Sequence, residues 1–203
     1  YINSTIREYI CSIMSKIEVQ TIDAPSGQNT VTIGDSNAST ITLKSGATLT
    51  NFPNNTPSFA ARMSSAQSIS NNTLTKIDFD TEEFDSDGAY DHSTNQRFTV
   101  PSGKAGKYVF YTSAILDAAS HTQLQRCRIA IYKNGSMVKM RAVNFNSNDI
   151  YYMQLDISAT LDLSAGDYIE AYARINDDSG NPVIDGSATE NSTFYGYRLA
   201  WAY

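Results

Sequence analysis

The stretch YMQLDISATLDL, residues 152–163, alternates apolar and polar side chains without a break. Met153, Leu155, Ile157, Ala159, Leu161 and Leu163 fall on one side, and Gln154, Asp156, Ser158, Thr160 and Asp162 fall on the other. Successive side chains of a β-strand point to opposite faces, so this pattern specifies a strand with one dry and one wet face. A dry face needs a second layer to cover it. From Ser58 onward similar runs recur with turn signals about every 8–12 residues, the cadence of a sandwich or barrel. The expected strands are 58–64, 75–80, 96–100, 106–116, 124–133, 136–143, 152–163, 167–175 and 193–203.

Composition agrees with an all-β chain. Of 203 residues, 41% are hydrophobic and 18% charged, and 13 are Tyr. The net charge of −6 gives no basic footprint of the kind nucleic acid needs. Cys11 and Cys127 are the only cysteines, too few for a disulfide framework. Cys127 falls on the apolar side of an expected strand and reads as a buried, inert thiol. No window is apolar for the ~18 residues a membrane span requires. The opening YINSTIREYICSIMSK lacks the pattern of a signal peptide.

Two segments precede the strands. Ile6, Ile10, Ile13 and Ile17 are spaced like the core positions of a coiled coil, and isoleucine at both positions favours trimers or tetramers. Residues 1–20 are therefore expected to be a short helical anchor or trimerisation segment. In residues 21–57, VTIGDSNAST and ITLKSGATLT align as a ten-residue repeat, Val31 with Ile41 and Ile33 with Leu43. These apolar residues are too sparse to close a core within one chain, so Ile33, Ile41 and Leu43 are expected to meet their copies in a thin trimeric β stem. Pro53 and Pro57 mark a linker to the domain 58–203.

Some strands are apolar on both faces. Tyr195, Tyr197, Leu199, Trp201 and Tyr203 share one side of the last strand, while Phe194, Gly196, Ala200 and Ala202 share the other. In 106–116, Tyr108, Phe110 and Leu116 alternate with Val109, Tyr111 and Ile115. A sandwich buries one face of each sheet, so the second aromatic face needs another cover. Tyr and Trp are enriched where subunits meet. Tyr108, Phe110, Tyr195, Tyr197, Leu199, Trp201 and Tyr203 are the expected contacts between subunits.

The order of several motifs resembles the globular head of the complement q-subcomponent family, a trimeric jelly roll related to tumour necrosis factor. FAARMSS resembles its first strand and KIDFDTEEFDSDGAYD the segment that follows. RFTVPSGKAGKYVFYTSAI carries Phe98, Pro101, Gly106, Tyr108 and Phe110 in the family's order. IYKNGSMV and LDLSAGDYIEAY resemble two of its hairpins, and FYGYRLAW its closing strand. The resemblance covers residues 58–203 and implies an antiparallel jelly-roll sandwich that assembles as a homotrimer. Residues 14–57 are similar to the opening of fibre-like structural proteins of tailed bacteriophages.

The connections Asn134-Gly135 and Ser164-Ala165-Gly166 are tight, and 117–123, 144–151 and 176–192 are long. Antiparallel neighbours alternate direction, so the long loops are expected at one end, away from the stem. Long loops on a rigid scaffold commonly carry binding. Candidates for receptor contact are Asp117, His121, Asn146, Asn148, Asp149, Tyr151 and Asn181. Asp177 and Asp178 could help to hold Ca²⁺, which takes several oxygen ligands; the alternative is that they are turn acids.

No catalytic constellation is visible. His92 and His121 are the only histidines, and no zinc-protease, nucleophile-elbow or phosphate-loop pattern occurs. DFDTEEFDSD packs six acids into residues 78–87. Neighbouring acids on a strand face opposite ways, so a solvated loop is expected rather than a glycosidase pair. The sequence thus points to a non-enzymatic, homotrimeric virion fibre or spike on a phage particle. It would join other virion proteins through its N-terminal segment and bind a host glycan or protein, with no cofactor beyond possible calcium. A capsid decoration protein and a secreted complement-like module are the alternatives.

Overall fold

The computed structural model describes residues 55–118, 124–145, 150–178, 180–186 and 192–200. The chain divides into two units, Tyr1–Thr50 and Asn51–Tyr203, and every described residue belongs to the second. The anchor and stem expectations, with Ile6, Ile10, Ile13, Ile17, Ile33, Ile41 and Leu43, lie outside the described residues.

Among the described residues thirteen strands form two antiparallel sheets. The first sheet holds β1 (Ser58–Arg62), β2 (Gln67–Ser68), β4 (Thr81–Asp85), β7 (Gly106–Asp117), β10 (Tyr152–Leu163), β12 (Val183–Asp185) and β13 (Thr193–Arg198). The second holds β3 (Thr75–Lys76), β5 (Tyr90–Asp91), β6 (Arg97–Thr99), β8 (Leu124–Lys133), β9 (Ser136–Asn144) and β11 (Tyr168–Asp177). β7 is the spine of the first sheet. β10 pairs along its whole length from Gly106 to Asp117. β13 and β12 share its other edge, opposite residues 108–113 and 115–117. β11 and β9 flank β8 in the second sheet.

The alternating stretch 152–163 is β10 with the expected bounds. Leu155, Ile157, Ala159 and Leu163 are buried, facing the second sheet's Cys127, Ile129, Ile131, Ile169, Ala171, Ala173 and Ile175 across one core. Cys127 is buried, and burial pushes its thiol up to about 12, so it stays protonated as expected of a core residue.

An aromatic cluster fills one part of the core. Phe59 stacks on Tyr90 at 4.6 Å and on Phe98 at 5.2 Å, and meets Phe194 edge-on at 5.1 Å. Phe98 packs edge-on against Phe110 at 5.4 Å. Such pairs add about 0.5–1.5 kcal/mol each beyond their buried area. The cluster explains Gly196: a Cβ there would sit 2.5 Å from the Phe110 ring, so glycine alone lets β13 lie this close.

Several strand assignments differ from expectation: the last strand ends at Arg198, and the short strands β2, β5 and β12 are additional, β12 lying within the expected long connection 176–192 and pairing with β7. The acidic segment is not a loop, because residues 81–85 form β4 at the edge of the first sheet, paired with β1. Its acids serve the backbone: Asp80 accepts from the Ser64 N–H at 2.8 Å and Asp85 from the Tyr90 N–H at 2.7 Å. Glu82 and Glu83 are exposed on the edge, where charge discourages further strand pairing. The expected strand 75–80 is only Thr75–Lys76, since the chain crosses from the second sheet to the first.

Candidate functional site

The end where the domain begins is the end of tight turns. The Arg198 N–H donates to Pro57 O at 3.0 Å, and Leu199 N–H to Lys107 O at 2.8 Å. Asn134 and Gly135 both have positive φ, 50° and 75°, and make a two-residue hairpin turn between Lys133 and Ser136. Asp167 ties this turn to the next: it accepts from Lys133, from Asn134 Nδ2 at 2.7 Å and from the Ser164 N–H at 2.8 Å. These donors hold its carboxyl down at about 2.

The long connections share the opposite end. Asp117 pairs with Tyr152 and Val183, the Ala118 N–H donates to Tyr151 O at 2.8 Å, and Leu124 N–H donates to Ile150 O at 2.9 Å. Asn71 Nδ2 reaches Asp177 O at 3.0 Å. Asp117, Tyr151, Asp177, Asp178 and Asn181 are therefore gathered at one end, as their alternating connections require. His121, Asn146, Asn148 and Asp149 lie outside the described residues. Tyr151 is 39% exposed. Asp177 is buried, and its Oδ1 accepts from the Gly180 N–H at 2.9 Å. Asp178 accepts from Gln125. Among the described residues no three His, Cys, Asp or Glu side chains gather to hold a metal.

The outer face of the first sheet carries a patch of exposed aromatic side chains. Registers across β4, β1, β13, β7 and β10 align Phe84, Ala60, Tyr195, Tyr111 and Ser158 in one row. The next row holds Ser58, Tyr197, Val109 and Thr160. Tyr111 and Tyr195 stack at 4.9 Å. Phe84 is 53% exposed, and Tyr195 and Tyr197 are each 36% exposed. Burial and the neighbouring Tyr111 and Tyr197 raise the Tyr195 phenol above its ordinary value; the charges that flank this patch are paired, Arg62 with Glu83, Lys107 with Asp162 and Asp156 with Arg141.

This corrects part of the expected subunit contact. Tyr195 and Tyr197 do face outward, but Tyr108 and Phe110 are fully buried in their own core. In β7 the exposed side is the other one, Val109 and Tyr111, and Phe84 of β4 joins them. Both sides of β7 are aromatic, so alternation alone cannot say which is inside; the glycine between Tyr195 and Tyr197 could have, because Gly196 lies opposite Phe110 and makes room for its ring. Leu199 is half-buried just past β13. Trp201 and Tyr203 lie outside the described residues.

A family model, the C1q domain, matches residues 58–199. The chain belongs to the C1q domain family. Domains of this family and its tumour-necrosis-factor relatives are generally non-enzymatic binding modules and typically form trimers. Among solved structures, the globular domain of a zebrafish complement 1qA protein is similar at 16% identity and TM-score 0.48, over 72% of this chain and 99% of that one. The Eiger TNF of S. frugiperda is similar at 12% identity and TM-score 0.48, over 72% and 96%. No curated protein sequence matches significantly.

Proposed function

We propose that this chain is the homotrimeric attachment head of a virion fibre. Three copies associate through the Phe84, Tyr111, Tyr195 and Tyr197 face, and the loops at the far end meet a host glycan or protein. The observation that carries the reading is that aromatic patch: large exposed apolar patches mark interaction sites, and this one continues across four strands. Three identical loop sets on one rigid head gain avidity without any new kind of contact. Residues 14–57, similar in composition to phage fibre openings, favour a fibre on the virion surface over a secreted complement-like module, which the family itself fits equally well.

Light scattering of the full chain should give a trimeric mass. Tyr195→Glu with Tyr197→Glu should give a folded monomer, because two carboxylates would be desolvated at each contact. A monomeric wild-type mass ends the trimer reading. Imaging the virion decides the setting: the chain at a fibre tip supports attachment, on the shell it supports capsid decoration, and a chain absent from particles overturns the virion reading.

A further inference from the structure

The outer face of the second sheet lies on the opposite side of the sandwich, and there the register collects arginines. Arg174 of β11 stands directly opposite Arg128 of β8, and Arg126 follows on the same face of β8, opposite Asn176. Like charges directly opposite each other on a sheet repel. No ion pair offsets them: among the described residues Arg62, Lys76, Lys104, Lys107, Lys133 and Arg141 pair with an acid, these three do not, and of the other cations without such a pair Arg97 lies over the Tyr168 ring and Arg198 donates to Ala105 O. Arg174 is steadied by the Asn72 side chain, with its Nε donating at 2.8 Å. The Nε atoms of Arg126 and Arg128 are buried with no hydrogen-bond partner. A buried donor left unpaired is costly. Acids outnumber bases in the whole chain, 21 to 15, but residues 118–148, which carry Arg126 and Arg128, hold five Lys and Arg and no Asp or Glu.

We infer that Arg126, Arg128 and Arg174 form a binding site for an acidic glycan, whose carboxylate or sulfate groups supply the missing partners. The guanidinium fork matches the two oxygens of such a group in a way that an ammonium does not. Tyr172, opposite Ala130 in the adjoining row, gives an aromatic edge for a sugar ring, and Asn72 and Asn176 give amides at the rim. The patch is local, on a chain of net charge −6. A nucleic acid needs a longer run of phosphate contacts than three arginines supply; a short acidic oligosaccharide does not. The site needs neither the trimer nor the loops.

The test titrates the full chain with trigalacturonate, sulfated dextran oligosaccharide, neutral dextran oligosaccharide and a single-stranded DNA oligonucleotide. Trigalacturonate or the sulfated dextran should bind, weakening with salt, and neutral dextran should not; which acid binds better separates carboxylate from sulfate recognition. Arg126→Gln with Arg128→Gln should lower the affinity about tenfold or more at an unchanged or raised melting temperature. Arg62→Gln, on the other sheet, should leave binding as it was. Arg128→Lys keeps the charge and removes the fork, so it should weaken binding without touching the fold. The Tyr195→Glu, Tyr197→Glu variant should bind as well per chain as wild type, whatever becomes of the trimer. Binding of neither acidic glycan overturns the proposal. So does an equal loss in Arg62→Gln, full binding by Arg128→Lys, or tighter binding of DNA than of either glycan.

Discussion

Tyr111 and Arg128 hold equivalent places. Each lies in the interior of its sheet, points away from the core and is flanked by paired strands. Around Tyr111 the register brings Tyr195 and Ser158, with Val109 and Tyr197 in the next row. Around Arg128 it brings Arg174 and Ala142, with Arg126 on the same strand. One outer face carries an aromatic patch whose flanking charges are paired, the other concentrates positive charge without a carboxylate partner. The inside of the sandwich is nearly uniform by comparison: both sheets turn aliphatic and aromatic side chains to it. Burial restricts chemistry on inner faces, while outer faces are left free to differ.

The sharpest way to break the comparison is to cross from an outer face to the inner one on the same strand. Phe110→Ala should destabilise the fold by about 3–5 kcal/mol, read by denaturant unfolding. Tyr111→Ala, one residue along, should cost far less in folding and appear instead as weakened assembly in sedimentation. Equal folding losses would mean that both sides of β7 are core.

On the second sheet's outer face, not every charge is unpaired. Glu170 is 4% exposed, and Lys76 reaches it at 2.5 Å. Lys76→Met strands this carboxylate and should cost about 3 kcal/mol, partly recovered by the double change with Glu170→Gln. A neutral result would place Glu170 in water.

Arg128→Gln should do the opposite of Lys76→Met. Removing one of two directly opposed arginines should raise stability by up to ~1 kcal/mol, measured as a higher denaturation midpoint at low salt, with the gain shrinking as salt screens the repulsion. A loss of stability would mean that these arginines hold the fold together.

The tight-turn end gives a reference away from both faces. The folded pKa of Asp167, about 2, lies below its ordinary 3.8. Its contribution is therefore complete above that ordinary value and is lost as pH falls from about 4 towards 2. Asp167→Asn should flatten the acid limb of the stability profile in that window and leave both faces' behaviour at neutral pH unchanged.

Much of this architecture is written in the chain. The alternation of 152–163 specifies β10 residue by residue. Asn134-Gly135 specifies its turn, and the parity of antiparallel connections places the long loops together, because each of these signals is local or follows from direction alone. The two-sided aromatic content of β7 and β13 shows that some outer face must be covered. What the chain leaves open is which face. Tyr108 and Phe110 look as suited to an interface as Val109 and Tyr111, and only the fit of Phe110 over Gly196 resolves them. The arginine site is less visible still. Arg126 and Arg128 stand in residues 118–148, which hold five Lys and Arg and no Asp or Glu, but Arg174 is far along the chain, and its place beside them is set by the pairing of β8 with β11. Periodicity within a strand is encoded residue by residue, so the sequence determines strands, turns and the dry side of β10. Register between strands distant in sequence depends on the packed core, so the tertiary structure alone decides what stands beside what on the surface.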